Sequence, residues 1–290
     1  MTPKYRYFLG TYDKPTIRDE INISESDYLY CSNILDRFLK LSSEENLFRL
    51  VEFNYNDLES KLNSLITKNY QFNFYEFDYL FVEMNRMILN LLSSVRTYLD
   101  HTETRLKREY GDTSEEYLLF KNATRDAYDN FFEYRFLYKL RNYSQHCGLP
   151  AGSAEIKSFQ DENLVWHDKM NVFFTRDKLI NQYDGWSNLV KLDLLGMPEN
   201  FDVLPLVDKM YDLLKSINEK LKIKIRKPYE KDAQFLFSLL PKLSHLVGIP
   251  CLIKMVETDV ITITFKSFPF EHITEITGAT INFKYIEPDK

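Results

Sequence analysis

Residues 75–108 read YEFDYLFVEMNRMILNLLSSVRTYLDHTETRLKR. The stretch contains no glycine and no proline. Its apolar residues Leu80, Met84, Met87, Ile88, Leu91, Leu92, Val95 and Leu99 recur at three- and four-residue spacing. That spacing puts them on one face of a helix. The reading is one long helix, the longest in the chain, ended by Gly111. It sets the fold class as mainly α.

Further helical segments lie on either side of it. Ser24 to Leu41 has an N-cap serine (Ser24 or Ser26) and apolar residues Tyr28, Ile34, Leu35, Phe38 and Leu41 at helical spacing. A second helix is expected from Asn54 to Ile66 with Leu58, Leu62 and Leu65 on one face. A third runs from Thr124 to Cys147 and stops at Gly148 and Pro150. Ala151 to Gly196 is less regular. Helices resume over Phe201–Leu221 and Asp232–Val247, the latter interrupted by Pro241. The ends differ in character. Lys4 to Tyr12 alternates aromatic and polar residues. Leu252–Val256, Val260–Phe265 and Thr280–Ile286 are β-branched and aromatic, the signature of strands. A small β element is therefore expected at the N-terminus and a small antiparallel sheet at the C-terminus. The expected divisions are 1–70 (strand plus helices), 71–225 (helical bundle) and 226–290 (helix plus small β region).

Composition narrows the function classes. The 290 residues include only 8 glycines, against 20 tyrosines and 22 phenylalanines. Low glycine argues against a turn-dense all-β fold and a glycine-lined dinucleotide cradle. No glycine-rich phosphate loop occurs, which disfavours an NTPase. The net charge of −6 supplies no overall basic field for holding nucleic acid, so any such contact must be local. Cys31, Cys147 and Cys251 have no metal-type spacing and suggest a reducing compartment. No signal peptide and no membrane-length apolar run are evident. The expectation is a soluble, cytoplasmic protein without membrane contact, metal or other cofactor.

The chemistry-bearing window is Thr124–Pro150, TRDAYDNFFEYRFLYKLRNYSQHCGLP. Phe132, Phe136, Leu140, Tyr143 and Cys147 form its core-facing stripe at about 100° per residue. Asn142 and His146 are four apart and share a face, with Arg135 and Tyr138 further up the same side. Arg141 stands roughly 140° from His146, so one straight helix does not bring the two onto one small group.

Arg141-Asn142-Tyr143-Ser144-Gln145-His146 resembles the Arg-polar-x-x-x-His signature of the HEPN superfamily. Members are helical bundles with the motif near the end of one long helix packed on another, a role that residues 75–108 fit. The resemblance covers about residues 75–222. With 13 arginines and 5 histidines in the chain, an Arg and a His five apart arise by chance about 0.2 times, and on the order of 0.02 times when Asn follows Arg. A second match, Arg96 to His101, lacks the amide and the helix-end setting and is read as chance. Basic residues also complement a helix C-terminus, so Lys139, Arg141 and His146 admit that plainer reading.

The resemblance implies a metal-independent RNA endonuclease, of the kind found among toxins and abortive-infection or phage-defence effectors. It also implies a composite site at a homodimer interface. Arg141, Asn142 and His146 would be catalytic there, with histidine moving protons and arginine stabilising an anionic phosphorane. The alternative is a non-catalytic HEPN-like interaction module that binds protein or RNA. A regulatory protein partner is a further expectation.

Weaker substrate-binding candidates are Tyr138 and Tyr143, beside the motif, as base-stacking rings. Others are Lys224, Arg226 and Lys227 in the basic run Lys220–Lys231, which otherwise reads as a solvated linker. Arg105, Lys107 and Arg108 read first as dipole complements. Asp161, Glu162, His167 and Asp168 lack metal-ligand spacing. His245 and His272 read as structural. Gly152-Ser153 is followed by no Asp-x-Asp, so a nucleotidyltransferase is not carried in this chain.

Overall fold

The computed structural model describes residues 2–13, 16–244 and 247–280. It is mainly helical, with two small antiparallel sheets. The chain divides into two compact units, Met1–Glu44 with Ile225–Lys290, and Glu45–Lys224. The expected boundary at 225/226 lies beside the observed one. The expected boundary at 70/71 falls inside the second unit.

Strands β1 (Lys4–Asp13) and β2 (Thr16–Asn22) form a hairpin that joins β6 (Ile249–Glu257) and β7 (Ile261–Ser267) in a four-stranded sheet of order β2-β1-β6-β7. The two chain ends thus build one sheet rather than separate β elements. Leu9 sits opposite Leu252 and Phe8 opposite Ile253. On one face Phe8, Cys251 and Ile253 cluster with Tyr12, Ile17 and Met255. On the other, Lys266 Nζ pairs with Asp36 at 2.6 Å on helix α1 (Glu25–Thr67). The β1–β2 register slips at Leu9/Gly10, and a Cβ on Gly10 would lie 2.0 Å from the Arg18 carbonyl oxygen. Only glycine fits that bulge. Of the expected strand Thr280–Ile286, residues 281–286 lie outside the described residues, as does His245. His272 is buried on α9 (Phe270–Thr277), 3.5 Å from Ser42 Oγ.

The expected pair of helices over 24–66 is one continuous helix, α1. Between its ends there is neither glycine nor proline, and Phe48 and Val51 in the supposed gap are buried. Ser24 Oγ accepts from the Asp27 N–H at 3.1 Å and opens it.

In the second unit, helix α2 (Phe74–Tyr110) matches the decisive stretch, but with 37 residues against 43 in α1 it is not the longest helix, because the two helices expected over 24–66 are one. Asn73 and Glu76 close a reciprocal capping box at its start, and Gly111 with φ 90° follows its end. Met84, Ile88, Leu91, Leu92, Val95, Leu99 and Leu106 are buried along one face. Helix α7 (Val203–Arg226) contributes Leu214, Ile217 and Leu221 to the same unit, and Tyr98 donates to Asn218 at 3.2 Å.

The expected helix Thr124–Cys147 is two helices, α3 (Glu115–Asn130) and α4 (Phe132–His146), broken at Phe131, which has extended backbone (φ −122°, ψ 119°). Ala151–Gly196 is also more ordered than expected. It holds strands β3 (Ser153–Gln160) and β4 (Trp166–Thr175) and helices α5 (Arg176–Gln182) and α6 (Asn188–Gly196). Strand β5 (Asn200–Asp202) completes a β3-β4-β5 sheet. The Asp232–Val247 helix is α8 (Glu230–Leu239) followed by a 3₁₀ turn at Leu240–Leu243 that contains Pro241.

Candidate functional site at the end of helix α4

Helix α4 is fixed at both ends by neighbours in its own unit. Its first residues have no side-chain cap. Instead Arg135, one turn in, reaches back to the carbonyls of Tyr128 (3.4 Å) and Asp129 (3.3 Å), which the end of α3 leaves without helical partners. The Nε of Arg135 donates to Asp193 on α6 at 2.6 Å. This arrangement stabilises the break at Phe131. Along the core side, Phe136 meets the rings of Phe174, Trp186 and Phe201, and Leu137 and Leu140 are fully buried. Beyond the far end, Asn85 of α2 accepts the Ala151 N–H at 2.8 Å and so positions the chain leaving α4.

The motif lies in the last turns of α4. The helix stays regular through His146, so the angular separation of Arg141 from His146 stands. Asn142 is half-buried and His146 exposed. Arg141 is half-buried, and its Nε is shut off from solvent without a hydrogen-bond partner among the described residues. The Asn142 and His146 side chains likewise have none there. Their polar neighbours differ. Arg135 is paired with Asp193, Tyr143 Oη donates to Gln182 at 2.7 Å, and Ser144 Oγ donates to the Leu140 carbonyl at 2.8 Å. Tyr138 accepts from Arg96 and lies under that guanidinium, 4.8 Å from ring centroid to carbon.

Several expected contributors are placed differently. Tyr143 is fully buried and stacks near Trp186, so it packs the core and offers no surface to a base. The basic run is not a linker. Its first part is the last turns of α7, which pass into a 3₁₀ turn at Lys227–Tyr229. Lys224 is paired with Glu115, Lys222 with Glu45 at 3.7 Å, and Arg226 with Glu275 at 2.5 Å. Lys224 belongs to the second unit, whereas Arg226 and Lys227 belong to the first. Arg96 of the second motif match pairs with Asp100 at 2.7 Å, which accounts for that arginine structurally.

The Asp161–His167 segment is a hairpin lock. Asp161 accepts from the backbones of Asn163 and Val165 and lies 2.9 Å from His167 Nε2. The His167 hydrogen bond, followed by those backbone donors, holds its carboxyl below the usual carboxylate range. No group of three or more metal-ligating side chains occurs among the described residues. No helix there is long and apolar enough to cross a membrane.

Sequence reasoning passed over a cavity of about 290 Å³ between α2, α3 and α4. Tyr128, Tyr134 and Tyr138, which recur along α3 and α4, were its available signal. Comparison of the chain with family models, with curated proteins and with solved structures gives no match in any of the three.

Proposed function

We propose that the chain is a metal-independent RNA endonuclease whose working site is completed by a second copy. One observation carries the reading: Arg141, Asn142 and His146 hold no hydrogen-bond or ion-pair partner among the described residues, while Arg135, Tyr138, Tyr143 and Ser144 on the same helix are all engaged. The shielded Arg141 Nε is a buried donor left unsatisfied, and no neighbour holds Asn142 or the exposed His146, so all three are available to a ligand.

The chemistry needs no metal. The 2′-hydroxyl oxygen attacks the adjacent phosphorus; the 2′ O–P bond forms as the P–O5′ bond breaks, leaving a 2′,3′-cyclic phosphate. His146 takes the hydroxyl proton, and His146 of the second copy returns one to the 5′ oxygen. Arg141 stabilises the charge that builds on the phosphorane oxygens. Asn142, one turn from His146, orients the imidazole or hydrogen-bonds the phosphate. Because Arg141 and His146 point to different sides of α4, a homodimer that pairs one copy's arginine with the other's histidine supplies both groups. A cytoplasmic toxin or phage-defence effector is the biological role that the HEPN resemblance suggests.

The test is cleavage of RNA in EDTA, with cyclic phosphate ends and loss of activity in His146→Ala. Cleavage that persists unchanged in that variant refutes the assignment. A fully active monomer refutes the composite site. The pairing of Lys222, Lys224 and Arg226 with acids favours a second reading, a non-catalytic interaction module, because it removes the free basic track. Growth arrest on expression, absent for His146→Ala, separates the two.

A further inference from the structure

The cavity between α2, α3 and α4 is not part of the motif, yet it is furnished for a ligand. Tyr134 is 2% exposed and lines it. The Tyr134 hydroxyl has no hydrogen-bond partner among the described residues, so it is open to water or a ligand in the cavity. Tyr128 and Tyr138 add two more rings to the walls, set edge to face with centroids 6.0 Å apart.

The charges around the cavity do not cancel. Two acids line it, and both are neutralised: Asp100 by Arg96 at 2.7 Å and Glu103 by Lys121 at 2.6 Å. Two lining cations, Arg125 on α3 and Lys139 on α4, have no carboxylate partner among the described residues. Flat aromatic walls beside two unpaired cations select a ligand that is planar at one end and anionic at the other. The volume is at the lower limit of small-molecule pockets, about 300 Å³. That suits one such unit rather than several.

We propose that this cavity is a single-nucleotide subsite, in which a base enters beside Tyr128 and Tyr138 and its phosphate is held by Arg125 and Lys139. For the source of that nucleotide, an RNA strand, the proposal rests on the ribonuclease reading. Asn142 and His146 continue the Tyr138 row of α4 by one and two turns, about 6 and 12 Å along the axis. A strand with one base seated in the cavity would therefore run its neighbouring phosphates toward the motif. The Tyr134 hydroxyl then hydrogen-bonds the base edge and gives the cleavage a base preference.

The experiment uses the full chain carrying His146→Ala, so that binding is read without turnover. It is titrated calorimetrically with each of the four nucleoside 3′-monophosphates, with the matching nucleosides and with inorganic phosphate. One monophosphate is expected to bind at least tenfold tighter than its nucleoside and than phosphate. Arg125→Gln combined with Lys139→Gln should remove that advantage while circular dichroism stays unchanged. Tyr134→Phe should narrow the difference between bases. Equal binding of monophosphate and inorganic phosphate, or affinity unchanged in the double variant, overturns the subsite. In parallel, RNA cleavage by the chain with an intact His146 separates the two ideas. Mononucleotide binding without any cleavage keeps the subsite, makes its ligand a free nucleotide and removes the ribonuclease reading. Cleavage whose base preference is untouched by Tyr134→Phe and by the double variant keeps the ribonuclease and removes the subsite.

Discussion

Arg135 and Asp193 lie 58 residues apart in sequence and meet at 2.6 Å, which ties the first turn of α4 to α6. The same guanidinium satisfies the carbonyls at the end of α3. Arg135 is 8% exposed. Its loss leaves a half-buried carboxylate and two carbonyls without that partner. Arg135→Ala should cost about 2 kcal/mol, read as a lower urea midpoint by circular dichroism. A cost under about 1 kcal/mol would place the pair among ordinary surface bridges.

Arg141 presents the opposite case. Its buried Nε has no partner, so an apolar replacement removes an uncompensated polar atom. Arg141→Met should leave the thermal midpoint unchanged or raised, and should reduce RNA cleavage at least about 100-fold. A clear fall in the midpoint would mean that Arg141 holds the fold together.

The three thiols should differ in reactivity. Cys31 and Cys251 are buried and Cys147 is half-buried. Burial pushes the Cys251 thiol up to about 12, and burial together with the Asp27 carboxylate raises Cys31. Iodoacetamide should therefore modify Cys147 alone in the folded protein, and all three in denaturant. The sign for stability follows. The unfolded thiol ionises near its ordinary value, about 8.5, and the folded one resists. The Cys251 contribution is thus present below that pH and is lost as pH rises toward 12. Cys251→Ala should flatten that alkaline limb.

Asp161 acts at the other end of the scale. Its folded carboxyl is depressed by the His167 hydrogen bond and by backbone donors. Its contribution is present above the unfolded value, about 3.9, and is lost as pH falls through the folded one. Asp161→Asn should make the acid limb of the denaturation profile shallower. An unchanged limb would show that the hairpin lock adds nothing to stability.

Helix α2 was legible because its apolar period and its terminal glycine agree. The single helix α1 was not. Ser42, Ser43 and the acids after them look like a gap, although no residue there breaks a helix. The break at Phe131 was hidden for the opposite reason. The local pattern is continuous, and the break is stabilised by Arg135 through partners on α3 and α6, a tertiary choice that no local period reports. Strand β4 left a readable trace, since Met170, Val172 and Phe174 alternate and are buried. The mostly exposed β3 left almost none. At the site, Arg141, Asn142 and His146 were readable as a spacing. Burial of Tyr143, neutralisation of Lys224 and Arg226, and the cavity all depend on what other elements bring near them.

The sheet shared by the chain ends has a consequence for biosynthesis. Leu9 pairs with Leu252, so β1 leaves the ribosome about 240 residues before its partner strand. At about 5–20 residues per second, the β1–β2 hairpin waits on the order of 12–50 s with the β1 edge that β6 will cover still unpaired. During that interval the nascent chain depends on other means, such as chaperone cover, to keep the open edge from joining a foreign strand.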